Sequence, residues 1–114
     1  MGRNKFGAKK VQIGGISFDS KREAARYQSL LLLERAGEIR NLRPHPKYPL
    51  ANCHVAVKMK GGKSNRVYTA DAEYLDVATH ELVTEDVKGV LTEAAALRIA
   101  VFEAIYSRKV KIIK

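Results

Sequence analysis

Nowhere does this sequence approach the roughly 20 consecutive apolar residues that a bilayer-crossing helix requires. Its opening run, MGRNKFGAKK, also lacks the apolar centre of a secretory signal, so a soluble, cytoplasmic protein is expected. Cys53 is the sole cysteine; no intrachain disulfide can form, and a reducing compartment fits. The three histidines, His45, His54 and His80, are not at zinc-ligand spacing, and no paired cysteines support such a site. Gly14-Gly15 and Gly61-Gly62 both lack the neighbours and the helix of a phosphate-cradling loop. There is no internal repeat and no low-complexity tract.

Acidic residues are also scarce. Against 12 Asp and Glu stand 21 Lys and Arg, a formal net charge of +9 on 114 residues. That excess favours a polyanionic partner, nucleic acid or an acidic membrane surface. Membrane binding through a basic amphipathic helix would need Lys and Arg along one face of an apolar helix, whereas here they gather in the two tails and one loop. Nucleic acid is therefore the expected partner, with no membrane. The chain is long enough for one core and too short for two ordinary domains. Its 46% hydrophobic and 29% charged residues are those of a globular protein rather than a disordered one.

Residues 1–10 carry Arg3, Lys5, Lys9 and Lys10 with little apolar content and read as a flexible basic arm or a solubilising tail. The domain proper spans 11–114. Val11 to Ile13 and Ile16 to Phe18 flank Gly14-Gly15, the pattern of a tight hairpin. Ser20-Lys21-Arg22-Glu23 matches a capping box, and helix-forming residues continue to Ala36 before Gly37 ends the run. Glu23 lies one turn ahead of Tyr27 on the face it shares with Leu30 and Leu31, an odd place for a purely solvated glutamate. Prolines at 44, 46 and 49 restrict Ile39 to Lys60 to edge strands or extended coil. Lys58, Lys60, Lys63 and Arg66 surround Gly61-Gly62 as a basic hairpin tip.

Val67 to Leu75 and Leu82 to Val87 read as two strands. Thr92 can cap a second helix reaching about Ser107, with one apolar stripe of Leu97, Val101 and Ile105 beside another of Ile99, Phe102 and Tyr106. So wide a stripe needs cover on two sides. The segment from Lys109 to Lys114 reads as a final strand. Together these elements predict a mixed α/β fold, a central mixed sheet flanked by helices and preceded by a short β-hairpin, with the last helix and strand forming a right-handed crossover. Tyr48, Tyr68 and Tyr74 are expected to pack rather than to stack on bases.

An acid two residues before a lysine occurs twice. Asp19-Ser20-Lys21 stands at a helix start, where Asp or Ser serves as a cap. Asp86-Val87-Lys88 closes a predicted strand, where alternation sends Asp86 and Lys88 to the face of Leu82 and Thr84, and Glu85 to the face of Val83 and Val87. The pair could be a plain surface ion pair. However, Asp71 and Glu73 interrupt the preceding strand, and antiparallel pairing can bring Asp71 beside Asp86. Converging carboxylates repel one another unless a cation lies between them, and oxygen donors of this kind suit Mg2+ or Mn2+. Lys88 would then stand where a water and a phosphate oxygen meet.

The order FDSKREAARY, YTADAEY, EDVKG, helix and last strand, from Phe18 to about Ile113, resembles the PD-(D/E)XK nuclease superfamily. It is particularly similar to a group of short phage and prophage proteins allied to the endonuclease I type of Holliday junction resolvase. The resemblance implies a restriction-endonuclease-like αβββαβ core and metal-dependent hydrolysis of DNA phosphodiesters, with branched DNA such as a four-way junction as substrate in phage recombination or processing. Asp71 and Asp86 would hold Mg2+ or Mn2+, Lys88 would be the catalytic lysine, and Glu23 would complete the metal site unless its carboxylate only caps the helix. Ala70 stands where the motif has its proline. If the chain is phage-encoded, the compartment is the host cytoplasm.

Phosphate contacts are expected from Arg3, Lys5, Lys9, Lys10, Lys58, Lys60, Lys63, Arg66, Arg108, Lys109 and Lys111, so that DNA is read by shape. Two matched cuts across a junction call for a twofold homodimer, for which the second helix is a candidate surface. Two alternatives stand beside this reading. One is a non-catalytic nucleic-acid-binding module; the other is a nuclease of the same superfamily acting on ordinary duplex.

Overall fold

The computed structural model describes residues 10–52, 56–58 and 66–114. Arg3, Lys5, Lys9, Lys60 and Lys63, and the Gly61-Gly62 turn, lie outside them. The chain opens with β1 (Val11–Ile13) and β2 (Ile16–Phe18), paired antiparallel. Both residues of the intervening turn have positive φ, +57° at Gly14 and +84° at Gly15, which glycine adopts without steric cost and which suits the twist of a hairpin.

Helix α1 (Lys21–Arg35) begins where Ser20 Oγ accepts the Glu23 backbone N–H at 3.2 Å. It ends in a Schellman motif: Glu38 N–H reaches Leu33 O, and Gly37, at φ +81°, bonds to Glu34 O. Ala24, Tyr27 and Leu30 form its buried stripe, spaced to one side of the helix. Tyr27 packs on Phe18, which fastens the hairpin to the helix.

The main sheet has the order β3 (Ile39–Pro44), β6 (Ala72–Asp76), β7 (Leu82–Val87), β8 (Val110–Ile113). Its first two pairings are antiparallel and β7 with β8 is parallel, helix α2 (Glu93–Tyr106) lying between them in the chain. This is the expected mixed sheet. The proline-bearing β3 is an edge strand, as a residue without an N–H requires. A register shift interrupts β3 between Arg40 and Arg43, where Asn41 has φ +57°. A second ribbon joins β4 (Lys47–Pro49) to β5 (Val67–Thr69).

Val67 to Leu75 is thus two strands rather than the one expected. The chain changes partners at Ala70 and Asp71: Ala70 N–H bonds to Pro46 O, and Asp71 N–H bonds to Glu85 O. Ala70 is fully buried at this crossing, in the core that β4 and β5 share with α2.

Two cores sandwich the sheet. On one face α1 covers Ile39, Ala72 and Tyr74 through Leu30. On the other, α2 places Ile99 and Phe102 against Tyr48, Leu50, Tyr68 and Val110. The stripe of Leu97, Val101 and Ile105 is only partly covered, since Leu97 is 65% exposed while Val101 and Ile105 are half-buried. Leu97 and Val101 line an open groove of about 460 Å3 with Leu50 and Val57. Among the described residues no helix is long and apolar enough to cross a membrane.

Candidate functional site

Three consecutive polar side chains in β7, Thr84, Glu85 and Asp86, are buried to within 2% exposure. Burying them without partners would be costly, so each must be satisfied from within the protein. Strand alternation separates them as the sequence predicts. Thr84 and Asp86 face the α2 side, and Glu85 faces α1.

Three tyrosines hold three of the acids. Tyr68 OH donates to Asp86 Oδ2 at 2.7 Å, Tyr74 OH to Glu85 Oε2 at 2.8 Å, and Tyr48 OH to Glu73 Oε1 at 2.6 Å. All three rings are buried, as expected for packing residues. Burial, followed by the neighbouring Asp86, pushes the Tyr68 hydroxyl far above its ordinary range; burial and then Glu85 do the same to Tyr74. Each hydroxyl is therefore a fixed donor at neutral pH.

Of Glu23, Asp71 and Asp86, Asp86 is the best enclosed. Its Oδ2 also lies 3.7 Å from Lys88 Nζ, and its carboxyl adjoins that of Asp71. Register explains the meeting, because Ala72 pairs with Glu85 and Asp71 N–H continues the ladder to Glu85 O. Asp71 Oδ2 in turn accepts the Val87 backbone N–H at 2.6 Å. Burial, then the adjoining Asp71 carboxyl, raises the Asp86 pKa to about 6, against the pull of Tyr68 and Lys88. Asp71 is raised too, by burial and then by Glu23, opposed by the Val87 N–H, Asp86 and Lys88.

Glu23 completes the convergence from α1. Its carboxyl lies beside that of Asp71 and near the Asp19 backbone; burial and then the Asp19 charge raise its pKa. The helix is capped by Ser20 and not by Asp19, yet Glu23 still points at the strand ends. Asp71, just before β6, thus stands between Glu23 of α1 and Asp86 at the end of β7, with the Lys88 ammonium nearby. Such acids repel in the ionised state, and a hard divalent cation with oxygen ligands would relieve that repulsion. The donor set fits Mg2+ or Mn2+.

His45 was not anticipated. It follows Pro44, which pairs with Ala72, and its backbone N–H bonds to Asp71 O at 3.0 Å. Antiparallel pairing across β3 and β6 therefore places it beside Asp71, and one ring nitrogen lies within 4.8 Å of carboxylate oxygens of Glu23 and Asp71. Sequence spacing of histidines carried no trace of this. Arg22 is a second omission: it is exposed on α1, and a Cβ added to Gly89 would come 2.7 Å from its Nη1, so the guanidinium lies against the glycine after Lys88.

Glu73, although on the face of Asp71, is drawn elsewhere. It pairs with Arg43 at 3.0 Å and Arg108 at 3.6 Å, beside Tyr48 and Thr84. Arg108, expected as a DNA contact, is thus engaged within the protein. Its guanidinium also donates to Thr84 and lies 5.5 Å from the Tyr48 ring centre and 5.2 Å from that of Phe102, so its charge is used inside the protein. Lys10, Lys58 and Lys111 are exposed and Arg66 is half-buried. Lys109 is exposed and lies 3.6 Å from Glu103. Glu85, which strand alternation removed from the site, serves the fold instead. It accepts from Arg26 Nε at 2.7 Å and from Nη2 at 3.0 Å, and so ties α1 to the centre of the sheet.

The model of one family, described as a protein of unknown function (DUF1064), matches residues 3–114. No curated protein and no solved structure matches the chain.

Proposed function

We propose that this chain, which belongs to the DUF1064 family, is a divalent-metal-dependent DNA endonuclease of the PD-(D/E)XK kind. The observation that carries the reading is Asp71 standing between Glu23 and Asp86 at one end of the sheet, with Lys88 beside Asp86. A surface ion pair would need none of the burial. The β3-β6-β7-β8 order, with α1 ahead of it and α2 before the last strand, agrees with an αβββαβ core.

Asp71, Asp86 and Glu23 would hold Mg2+ or Mn2+, which when bound supplies Lewis acidity toward the phosphate and acidifies the attacking water. The protein's own part is placement. Tyr68 fixes Asp86, the Val87 N–H fixes Asp71, and both acids are thereby oriented before substrate arrives. Lys88, on the face of Asp86, stabilises charge as it grows on the phosphate oxygens and orients the water whose oxygen forms the new bond to phosphorus. The sugar oxygen on the opposite side leaves.

The net charge of +9 provides the attraction to the DNA backbone. Lys10, Lys58, Arg66, Lys109 and Lys111 remain contacts in this reading, together with Arg3, Lys5, Lys9, Lys60 and Lys63. Recognition through phosphates reads shape rather than base sequence, and for a branched substrate two cuts across a four-way junction call for a homodimer, with the exposed Leu97 side of α2 as its candidate seat. The expected setting is the cytoplasm, that of the host if the gene is phage-borne.

The test compares a four-way junction with a linear duplex of the same sequence, each with Mg2+, with Mn2+ and with chelator. Metal-dependent cutting of the junction alone is expected. Equal cutting of both would identify a duplex nuclease, and binding without any cutting a non-catalytic module.

A further inference from the structure

Among the described residues grouped at Asp71, His45 offers an imidazole nitrogen. Glu23 and Asp71 contribute carboxylate oxygens, and one atom from each of the three residues can be chosen so that all lie within 4.8 Å of one another. That span suits three ligands about a single ion, each bond being about 2.0 to 2.3 Å long for first-row metals. The ring is held in place: Phe18 packs on it at 5.0 Å between centroids, and the His45 main chain is tied to Asp71 O. Asp71 is thus common to two groupings, one with Asp86 that contains oxygen donors only and one with Glu23 and His45 that mixes oxygen with imidazole.

The two kinds of donor prefer different ions. Carboxylate oxygen suits Mg2+, Ca2+ and Mn2+, whereas imidazole adds affinity for first-row transition ions and little for Mg2+ or Ca2+. We propose that His45 is a metal ligand with Glu23 and Asp71, and that it makes this site select Mn2+ and Co2+ over Mg2+ and Ca2+. The inference rests on the reading of the carboxylate cluster as a metal site, and adds to it an ion preference and a ligand outside the acidic motif.

The test uses the full chain and the metals alone. His45 has φ +48°, a conformation in which asparagine is the best tolerated of the polar replacements, so His45→Asn keeps the backbone. Binding of Mn2+, Co2+ and Mg2+ is measured by calorimetry on the wild type, His45→Asn and Asp71→Asn, with melting curves as a check on folding. Wild-type protein should bind Mn2+ and Co2+ more tightly than Mg2+. In His45→Asn the Mn2+ and Co2+ affinities should fall by about tenfold or more, and that for Mg2+ by much less.

The Mn2+ complex of the wild type should also show 14N modulation in its pulsed electron paramagnetic resonance spectrum, lost in His45→Asn. Absence of that modulation in the wild type, or equal affinities in wild type and His45→Asn, overturns the role of His45. If binding in those samples is still abolished by Asp71→Asn, the carboxylate site itself stands. Wild-type protein that binds none of the three ions overturns both.

Discussion

Asp86→Asn should make the metal-free protein more stable while abolishing its cutting. The carboxyl is 2% exposed, and its pKa of about 6 lies well above the ordinary 3.8 because burial and Asp71 oppose ionisation. Each tenfold change in proton affinity corresponds to about 1.4 kcal/mol, so holding Asp86 ionised costs the folded state about 3 kcal/mol above pH 6. Asparagine has the same shape, can still accept from Tyr68, and can donate to Asp71. For a domain of this size a gain of about 3 kcal/mol raises the melting temperature by about 10 °C.

The sign follows from proton counting. Between about pH 4 and 6 the folded wild type keeps a proton on Asp86 that the unfolded chain has lost, so its stability falls as pH rises through that window. The variant has no such proton. Melting curves at pH 4, 5, 6 and 7.5 in chelator should therefore show the two proteins close together at the lowest pH and the variant ahead at the highest. Saturating Mg2+ should raise the wild-type curve at pH 7.5 by more than the variant's, because a ligand stabilises the folded state according to its affinity for it. An Asn variant no more stable than wild type at pH 7.5, or ahead by the same margin at pH 4, would refute the assignment of Asp86 as a charge held against its preference.

Lys88→Met should reduce cutting by about a hundredfold or more, the scale of losing one preorganised charge at the reacting phosphate, with Mn2+ binding intact by calorimetry. Glu85→Ala should lower stability by about 3 kcal/mol in urea unfolding, since it leaves the Arg26 guanidinium and the Tyr74 hydroxyl without their buried partner. In Glu85→Gln the loss should be smaller, with metal binding retained. Thr92→Ala should cost about 1 kcal/mol through loss of the bond from Ala95 N–H to its hydroxyl, visible in the same unfolding assay. Junction binding by the cutting-deficient Asp86→Asn should weaken steeply with salt, and Lys58→Ala should flatten the slope of log affinity against log salt.

Local signals located most of the secondary structure. The capping box at Ser20 and the glycine at 37 bracket α1 because both act on their own helix ends. The paired glycines define the first turn in the same way. Alternation within β7 distinguished Asp86 from Glu85 without any knowledge of the neighbours. Less was legible where partners lie far apart in the chain. Nothing local marks Ala70 as the place where one ribbon ends and another begins, because the break reflects two different hydrogen-bonding partners, Pro46 and Glu85. Arg108 looks like any basic residue of a charged tail, yet Tyr48, Glu73 and Phe102 draw it inward from 60, 35 and 6 residues away along the chain.

By itself the sequence determined the charge, most of the elements, and the side of β7 on which each acid stands, since composition, helix caps and strand alternation are properties of neighbouring residues. Tertiary structure alone decided which of those acids share a site. Pairing of β3 with β6 carries His45 to Asp71, and the docking of α1 brings Glu23 to the same place. Burial then raises the proton affinity of the three carboxyls together, and burial is a property of the packed chain that no short motif contains.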